Sequence, residues 1–288
     1  MFAKLLKYEW KANAGLLTIL SACALGVGLL GAGILRAIVY MSENMLSNEL
    51  AAIATSSLSS MMVFVVLALV AYALAVQFIT LFRFYKNKFT DEGYLTFTLP
   101  VTSHQIFLSS FLNILAWLAI SVFVLICAAA MMIFIGLGEP IEGMYEALGD
   151  IFINVDEGVD YIGQSMQGFG TFLGLSILEI FVAPVYAIVL LMTSITLGCV
   201  LAKKHKILAT IGMYYVINMV VNIVSSIISM VPTILLVFNG MNDNDAFVDR
   251  YFVYMALTVG LTLLLQVGLA IGGYFWSTYL MKHKLNLP

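Results

Sequence analysis

Apolar residues run along this chain in long unbroken blocks. Six of them approach or exceed about 20 residues, the length needed to cross a hydrocarbon core of about 30 Å at 1.5 Å per residue. They cover roughly Gly15–Val39, Ser60–Phe82, Ile106–Leu137, Thr171–Ala202, Ile207–Val231 and Tyr251–Met281. The third, fourth and sixth are long enough to tilt or to protrude as helix. The pattern therefore predicts an all-α, polytopic membrane protein of six transmembrane helices, with residues 1–288 forming a single transmembrane domain. Before the first block, Phe2, Leu5, Leu6 and Trp10 share one helical side, and Lys4, Lys7 and Lys11 the other. That spacing suits a short N-terminal helix lying in the membrane interface with its basic face toward head groups. A plain orienting flank is the alternative. A secretory signal fits less well, because the apolar run that follows is longer than a signal core.

Composition agrees: 62% of residues are hydrophobic and only 10% charged, against about 25% charged in soluble domains. The charge distribution gives orientation. Of the 13 Lys and Arg, all but Arg36 and Arg250 fall before span one, after span two, between spans four and five, or after span six. Basic residues collect on the cytoplasmic side, so both termini are expected in the cytoplasm of a bacterial plasma-membrane protein. The outer loops are then acidic, above all 138–170 with Glu139, Glu142, Glu146, Asp150, Asp156, Glu157 and Asp160. Helical spacing behind Pro140 predicts an amphipathic helix there. The order of an EF-hand is absent, so no calcium site is assigned. After span five, the stub Val231–Gly240 either extends that span past Pro232 or dips back into the outer leaflet.

Cys23, Cys127 and Cys199 all lie within apolar runs, which reads as packing rather than pairing or metal binding. There is no G-x-x-x-x-G-K-[ST] phosphate loop, no H-E-x-x-H and no nucleophile elbow around Ser176. The chain is therefore not expected to be an enzyme, to bind a metal or to hydrolyse ATP itself. Inside the spans, Glu179 is costly in hydrocarbon and reads as a functional group, with Arg36 as its expected partner. A purely structural bond to a neighbouring helix remains open. Asn218, Asn222, Ser225, Ser226 and Ser229 share one face of span five, which should turn away from lipid. They either line a substrate path or bind neighbouring helices. Gly26, Gly28, Gly31 and Gly33, and the GxxxG pair Gly268 and Gly272, permit close backbone approach. Trp10, Trp276 and Tyr279 read as inner interface anchors, and Tyr40, Tyr251 and Tyr254 as outer ones.

The longest polar interruption on the basic side is YKNKFTDEGYLTFTLPVTSHQIFLSS, Tyr85–Ser110. Its second half contains a capping box, Thr102 as N-cap and Gln105 three residues on, with Val101 and Ile106 placed to staple across it. Pro100 ends whatever precedes it. Leu95, Phe97 and Leu99 alternate with Thr96, Thr98 and Pro100, an extended strip with one apolar side.

This stretch, from RFYKNK through DEGYLTFTLPVT into a helix, resembles the permease subunits of bacterial ABC transporters of the type-2 exporter class. The likeness is closest to the small six-span permeases common in Firmicutes, and covers residues 83–112 together with the topology. It implies a cytoplasmic coupling helix between spans two and three that docks on a separate ATP-binding subunit. By position, Asp91, Glu92, Gly93, Tyr94 and Leu95 would make that contact. Lys203–Lys206 would add a second, unless they serve only as an orienting signal. The implied function is ATP-driven transport, as an exporter built from two permease copies and two ATPase subunits, with ATP and Mg held by the partner and none by this chain. Membrane lipids are a further partner; nucleic acid is not. Two other readings stand beside it. An ion-coupled secondary transporter or channel would need more intramembrane charge than Glu179, and a scaffold or sensor would transport nothing.

Overall fold

The computed structural model describes residues 2–44, 49–90, 93, 98, 101–137, 168–202, 205–242 and 244–283, with side chains omitted at 43–44, 49–52, 239–242 and 244–250. Six long helices make up nearly all of it: α1 (Phe2–Asn44), α2 (Glu49–Phe89), α3 (Ser103–Leu137), α4 (Phe169–Leu201), α5 (Lys206–Asn242) and α6 (Asn244–His283). Each contains a stretch long and apolar enough to cross a membrane, so the chain is a multi-pass membrane protein. The expected amphipathic helix in 138–167 lies outside the described residues.

Two boundaries differ from the sequence expectation. Residues 2–14 and the first apolar run form one uninterrupted helix, so the N-terminal segment is not a separate element. The join, Ala12–Asn13–Ala14–Gly15, holds no proline to break the hydrogen-bond ladder. Leu17 is fully buried and Asn13 is 2% exposed, which ties this part of α1 into the bundle. The stub after Pro232 likewise continues α5 as helix through Asn242. Pro232 removes one amide donor, and Thr233 Oγ1 donates to the Ser229 carbonyl at 2.9 Å beside it.

The helices divide into two compact units. The first comprises Met1–Arg83 with Leu112–Phe152, the second Phe84–Phe111 with Ile153–Pro288. In the first unit α1 and α3 run parallel: Trp10 stacks on Trp117 with ring centroids 5.0 Å apart, and farther along Gly28 lies against Ala128 and Gly136 against Leu35. Between them α2 runs the other way, as Ser21 bonds Tyr72 across 2.9 Å while Arg83 reaches back to Ala12. Leu17, Ala24, Val65, Leu69, Val76, Val124 and Ala128 fill the space between the three helices.

In the second unit α4, α5 and α6 pack pairwise. Phe169 meets Phe252 at one end, and Ser277 Oγ donates to Thr193 Oγ1 at 3.1 Å toward the other, so α4 and α6 are parallel. α4 and α5 form a hairpin. Gly168 starts α4 with φ of 82°, a left-handed conformation in which a Cβ would also strike Val253.

Burial is distributed as a lipid solvent demands. Phe64, Phe181 and Leu264 are about 70% or more exposed, whereas Ser109, Ser194, Thr196 and Ser277 are wholly buried. With lipid outside, apolar side chains gain little by hiding, and small residues that let helices approach take the interior. The glycines sort by the same criterion. A Cβ on Gly198 would stand 2.5 Å from the Thr210 backbone, and one on Gly28 would stand 2.8 Å from Ala128 Cβ. Gly26, Gly33, Gly268 and Gly272 meet nothing within 4 Å, so the GxxxG pair does not make the close approach expected of it within the described residues. It borders an apolar cavity of about 490 Å³ among α4, α5 and α6.

Gly198→Ala is accordingly expected to force α4 and α5 apart and destabilise the protein by about 1–3 kcal/mol, the usual cost of overpacking. Gly268→Ala should fall within about 0.5 kcal/mol of the parent, as at uncrowded positions. Thermal unfolding of the purified protein in detergent separates the two.

Candidate functional site

The polar stretch between α2 and α3 is held at both ends within the second unit. Where α2 ends, Phe84 and Phe89 are buried and meet edge to face at 5.6 Å. Phe84 also contacts Phe107 of α3, which is fully buried. The last carbonyl of α2 has a donor from another helix: Lys206 Nζ, at the start of α5, reaches Phe89 O at 3.0 Å. A cation there satisfies an orphan acceptor and opposes the negative end of the helix dipole. Beyond it Thr90 Oγ1 donates to Lys86 O at 2.5 Å, and Gly93 N to Thr90 O at 2.8 Å, closing a turn.

At the other end α3 starts as its sequence predicts. Gln105 N donates to Thr102 Oγ1 and Thr102 N to Gln105 Oε1, each at 3.3 Å, so both bonds of the capping box form. Ile106, the residue placed to staple, is 1% exposed. One turn on, Phe107 packs edge to face on Tyr274 of α6 at 5.3 Å, and His104 Nδ1 lies 3.3 Å from the Tyr274 hydroxyl. The ends of the stretch are thus fixed against α5 and α6. Of the five residues expected to meet a partner, Gly93 is buried in a helical conformation. Asp91, Glu92, Tyr94 and Leu95 lie outside the described residues, as do Lys203 and Lys204.

Within the spans, Glu179 accepts a bond from Gln266 Nε2 of α6 at 3.5 Å, the arrangement of a carboxyl bonded to a neighbouring helix. Arg36 belongs to the first unit. Gln266 was not singled out from the sequence, yet it is the one amide in the stretch from Thr258 to Thr278, and that isolation is a usable signal. Its Oε1 is buried without a partner. Asn218 is half-buried and its Nδ2 donates to Tyr214 O of its own helix at 3.3 Å. Asn222 and Ser226 are exposed, so part of the α5 polar face lies on the exterior of this chain instead of turning inward. Ser226 and Ser229 donate to carbonyls of their own helix, Asn222 O at 2.8 Å and Ser226 O at 3.0 Å.

A second polar group, not apparent from sequence, sits where the three helices of the first unit meet. Arg83 Nη1 donates to Ala12 O at 2.6 Å. Asn13, Asn113 and Trp117 are each under 5% exposed. Asn13 Oδ1, Asn113 Oδ1, Trp117 Nε1 and Arg83 Nε are buried without partners. Arg83, placed by sequence as an orienting charge and at the start of the RFYKNK stretch, is in the structure a clamp between α2 and α1. Trp10, expected as an interface anchor, stacks on Trp117. The three cysteines are free, with Cys23 exposed rather than packed inside. No cluster of potential metal ligands occurs among the described residues.

No known protein family, curated protein or solved structure matches the chain.

Replacing Lys206 with Met removes the charge-assisted bond to Phe89 O, a class worth about 1.5–3 kcal/mol. Amide hydrogen exchange at residues 86–90 is expected to accelerate at least about tenfold. Lys206→Arg should restore most of the protection.

Proposed function

We propose that this chain is the membrane-spanning permease subunit of an ATP-driven ABC transporter of the type-2 exporter class. In this reading the ATPase is a separate subunit that holds ATP and Mg, and two permease copies assemble in the bacterial plasma membrane with their termini in the cytoplasm. The observation that carries the reading is the stretch from Arg83 to Leu112, with its DEGYLTFTLPVT phrase. Its setting supports the same conclusion. A loop that receives force from a partner can transmit it only if its ends are attached to the helices that must move. Here Phe89 is bonded to α5 through Lys206, and Phe107 packs on α6 through Tyr274.

Asp91, Glu92, Gly93, Tyr94 and Leu95 are the proposed contact with the ATPase. A short acidic sequence between two anchored helix ends suits docking on a soluble surface. The exposed Asn222 on α5 supports a second copy: an amide within a membrane span is best satisfied by another protein helix. Glu179 and Gln266 would then be polar groups of the transport domain itself.

Affinity purification of the tagged chain from its native membrane tests the reading. A Walker-motif ATPase is expected at one copy per permease, and Asp91→Ala with Glu92→Ala should release it while leaving the permease in the membrane. Ion-driven flux by the purified chain alone would instead identify a secondary carrier, and neither result would leave a scaffold. Glu179→Gln should lower transport-coupled ATP turnover more than it lowers complex yield. Unchanged turnover at normal expression would remove Glu179 from the mechanism.

A further inference from the structure

At the end of the second unit where α3 begins and α6 finishes, the two helices border a cavity of about 660 Å³. Its polar lining comes from Thr102, Ser103, His104, Thr278, Tyr279, Lys282 and His283, with no acidic residue among the described residues that line it. Lys282 is exposed and has no partner among the described residues. Both imidazoles are held in place by their Nδ1 atoms. His283 Nδ1 lies 3.2 Å from the Tyr279 carbonyl, which can only accept, so that nitrogen carries hydrogen; His104 Nδ1 meets the Tyr274 hydroxyl. At the start of α3, Gln105 N is taken by Thr102 Oγ1, while the amides of Ser103 and His104 have no intrahelical acceptor. The cavity is therefore lined by a cation, two oriented imidazoles and hydroxyls, a set that complements an anion with several oxygen acceptors.

What adjoins the cavity narrows the anion's source. Ile271, Phe275, Tyr279 and His283 recur every four residues on one face of α6, the first three being 55%, 60% and 55% exposed. That face passes from membrane-spanning apolar surface to basic cavity within about three turns. An apolar strip ending in a basic pocket between transmembrane helices matches a lipid, tail along the strip and head group in the pocket. A free inorganic anion would need only the pocket.

We propose that this cavity binds the phosphate of an anionic phospholipid, with an acyl chain lying along Ile271 and Phe275. The bound lipid would bridge the start of α3 to the end of α6, so lipid composition would bear on how firmly the α2–α3 stretch is anchored. The site is independent of the transporter reading, since it rests only on the second unit's geometry and on the membrane around it.

Native mass spectrometry of the full-length protein in detergent, titrated with phosphatidylglycerol or phosphatidylcholine, tests it. Wild-type protein is expected to retain phosphatidylglycerol in preference to phosphatidylcholine. Lys282→Ala should weaken phosphatidylglycerol binding about fivefold, the contribution of one basic residue near a membrane surface. Lys282→Arg should preserve it, and Phe275→Ser should weaken it without changing charge. Lys4→Ala, which removes the same charge from the other unit, should leave it unaltered. Equal losses in Lys4→Ala and Lys282→Ala would mean general surface attraction and would overturn the site. Displacement of the lipid by inorganic phosphate at equal concentration would assign the cavity to the free anion and overturn the lipid.

Discussion

A polar group in hydrocarbon has no water to turn to, and much of this chain's structure answers that constraint. The hydroxyls within the spans show the simplest answer. Thr80, Thr193, Ser194 and Thr196 each donate to the carbonyl four residues earlier, so the side chain is satisfied without help from another helix. Such residues occupy interior positions cheaply because they are small, and helices close around them. The result is an interior in which buried serines and threonines such as Ser109, Ser194, Thr196 and Ser277 sit among apolar side chains, and an exterior of phenylalanine and leucine.

The same constraint explains what could be read from sequence. Block length and absence of charge report the solvent directly, so six spans were legible without any tertiary information. The start of α3 was legible too, because a capping box is local: Thr102 and Gln105 satisfy each other across one turn. The continuation of α1 back to Phe2 was not. Lys4, Lys7 and Lys11 suggested an interfacial helix, but whether a helix bends at the interface is decided by packing, and here Leu17 and Asn13 are buried while Trp10 stacks on a distant helix. Gly268 and Gly272 show the same dependence on packing. Their spacing permits close approach, but whether a partner arrives is a tertiary matter, and Gly198, with no such motif, makes the tightest contact with Thr210.

Candidate site residues divide along the same line. Glu179 was conspicuous because a charge in a span is rare, but its bonded neighbour Gln266 depends on the register of α4 against α6, and register is set by shape. Asn13 and Asn113 lie about a hundred positions apart, and only the parallel alignment of α1 and α3 brings their parts of the chain to one level.

The basic residues carry the furthest consequence. By count and position Arg83, Lys206 and Lys282 all read as orienting charges, and nothing in the sequence separates them. In the structure they have different surroundings: Arg83 bonds the Ala12 carbonyl, Lys206 bonds the Phe89 carbonyl, and Lys282 borders a cavity. The coincidence has a physical cause. Orienting charges sit at helix ends, and helix ends are where carbonyls lack partners and where the dipole favours a cation. A long cationic side chain placed there for topology is already within reach of the groups that most need a donor. The two bonds hold the end of α2, Arg83 to α1 and Lys206, through Phe89, to α5. Basic residues at helix ends, the positions a topology signal also occupies, thus help determine how rigidly the polar stretch that follows is held.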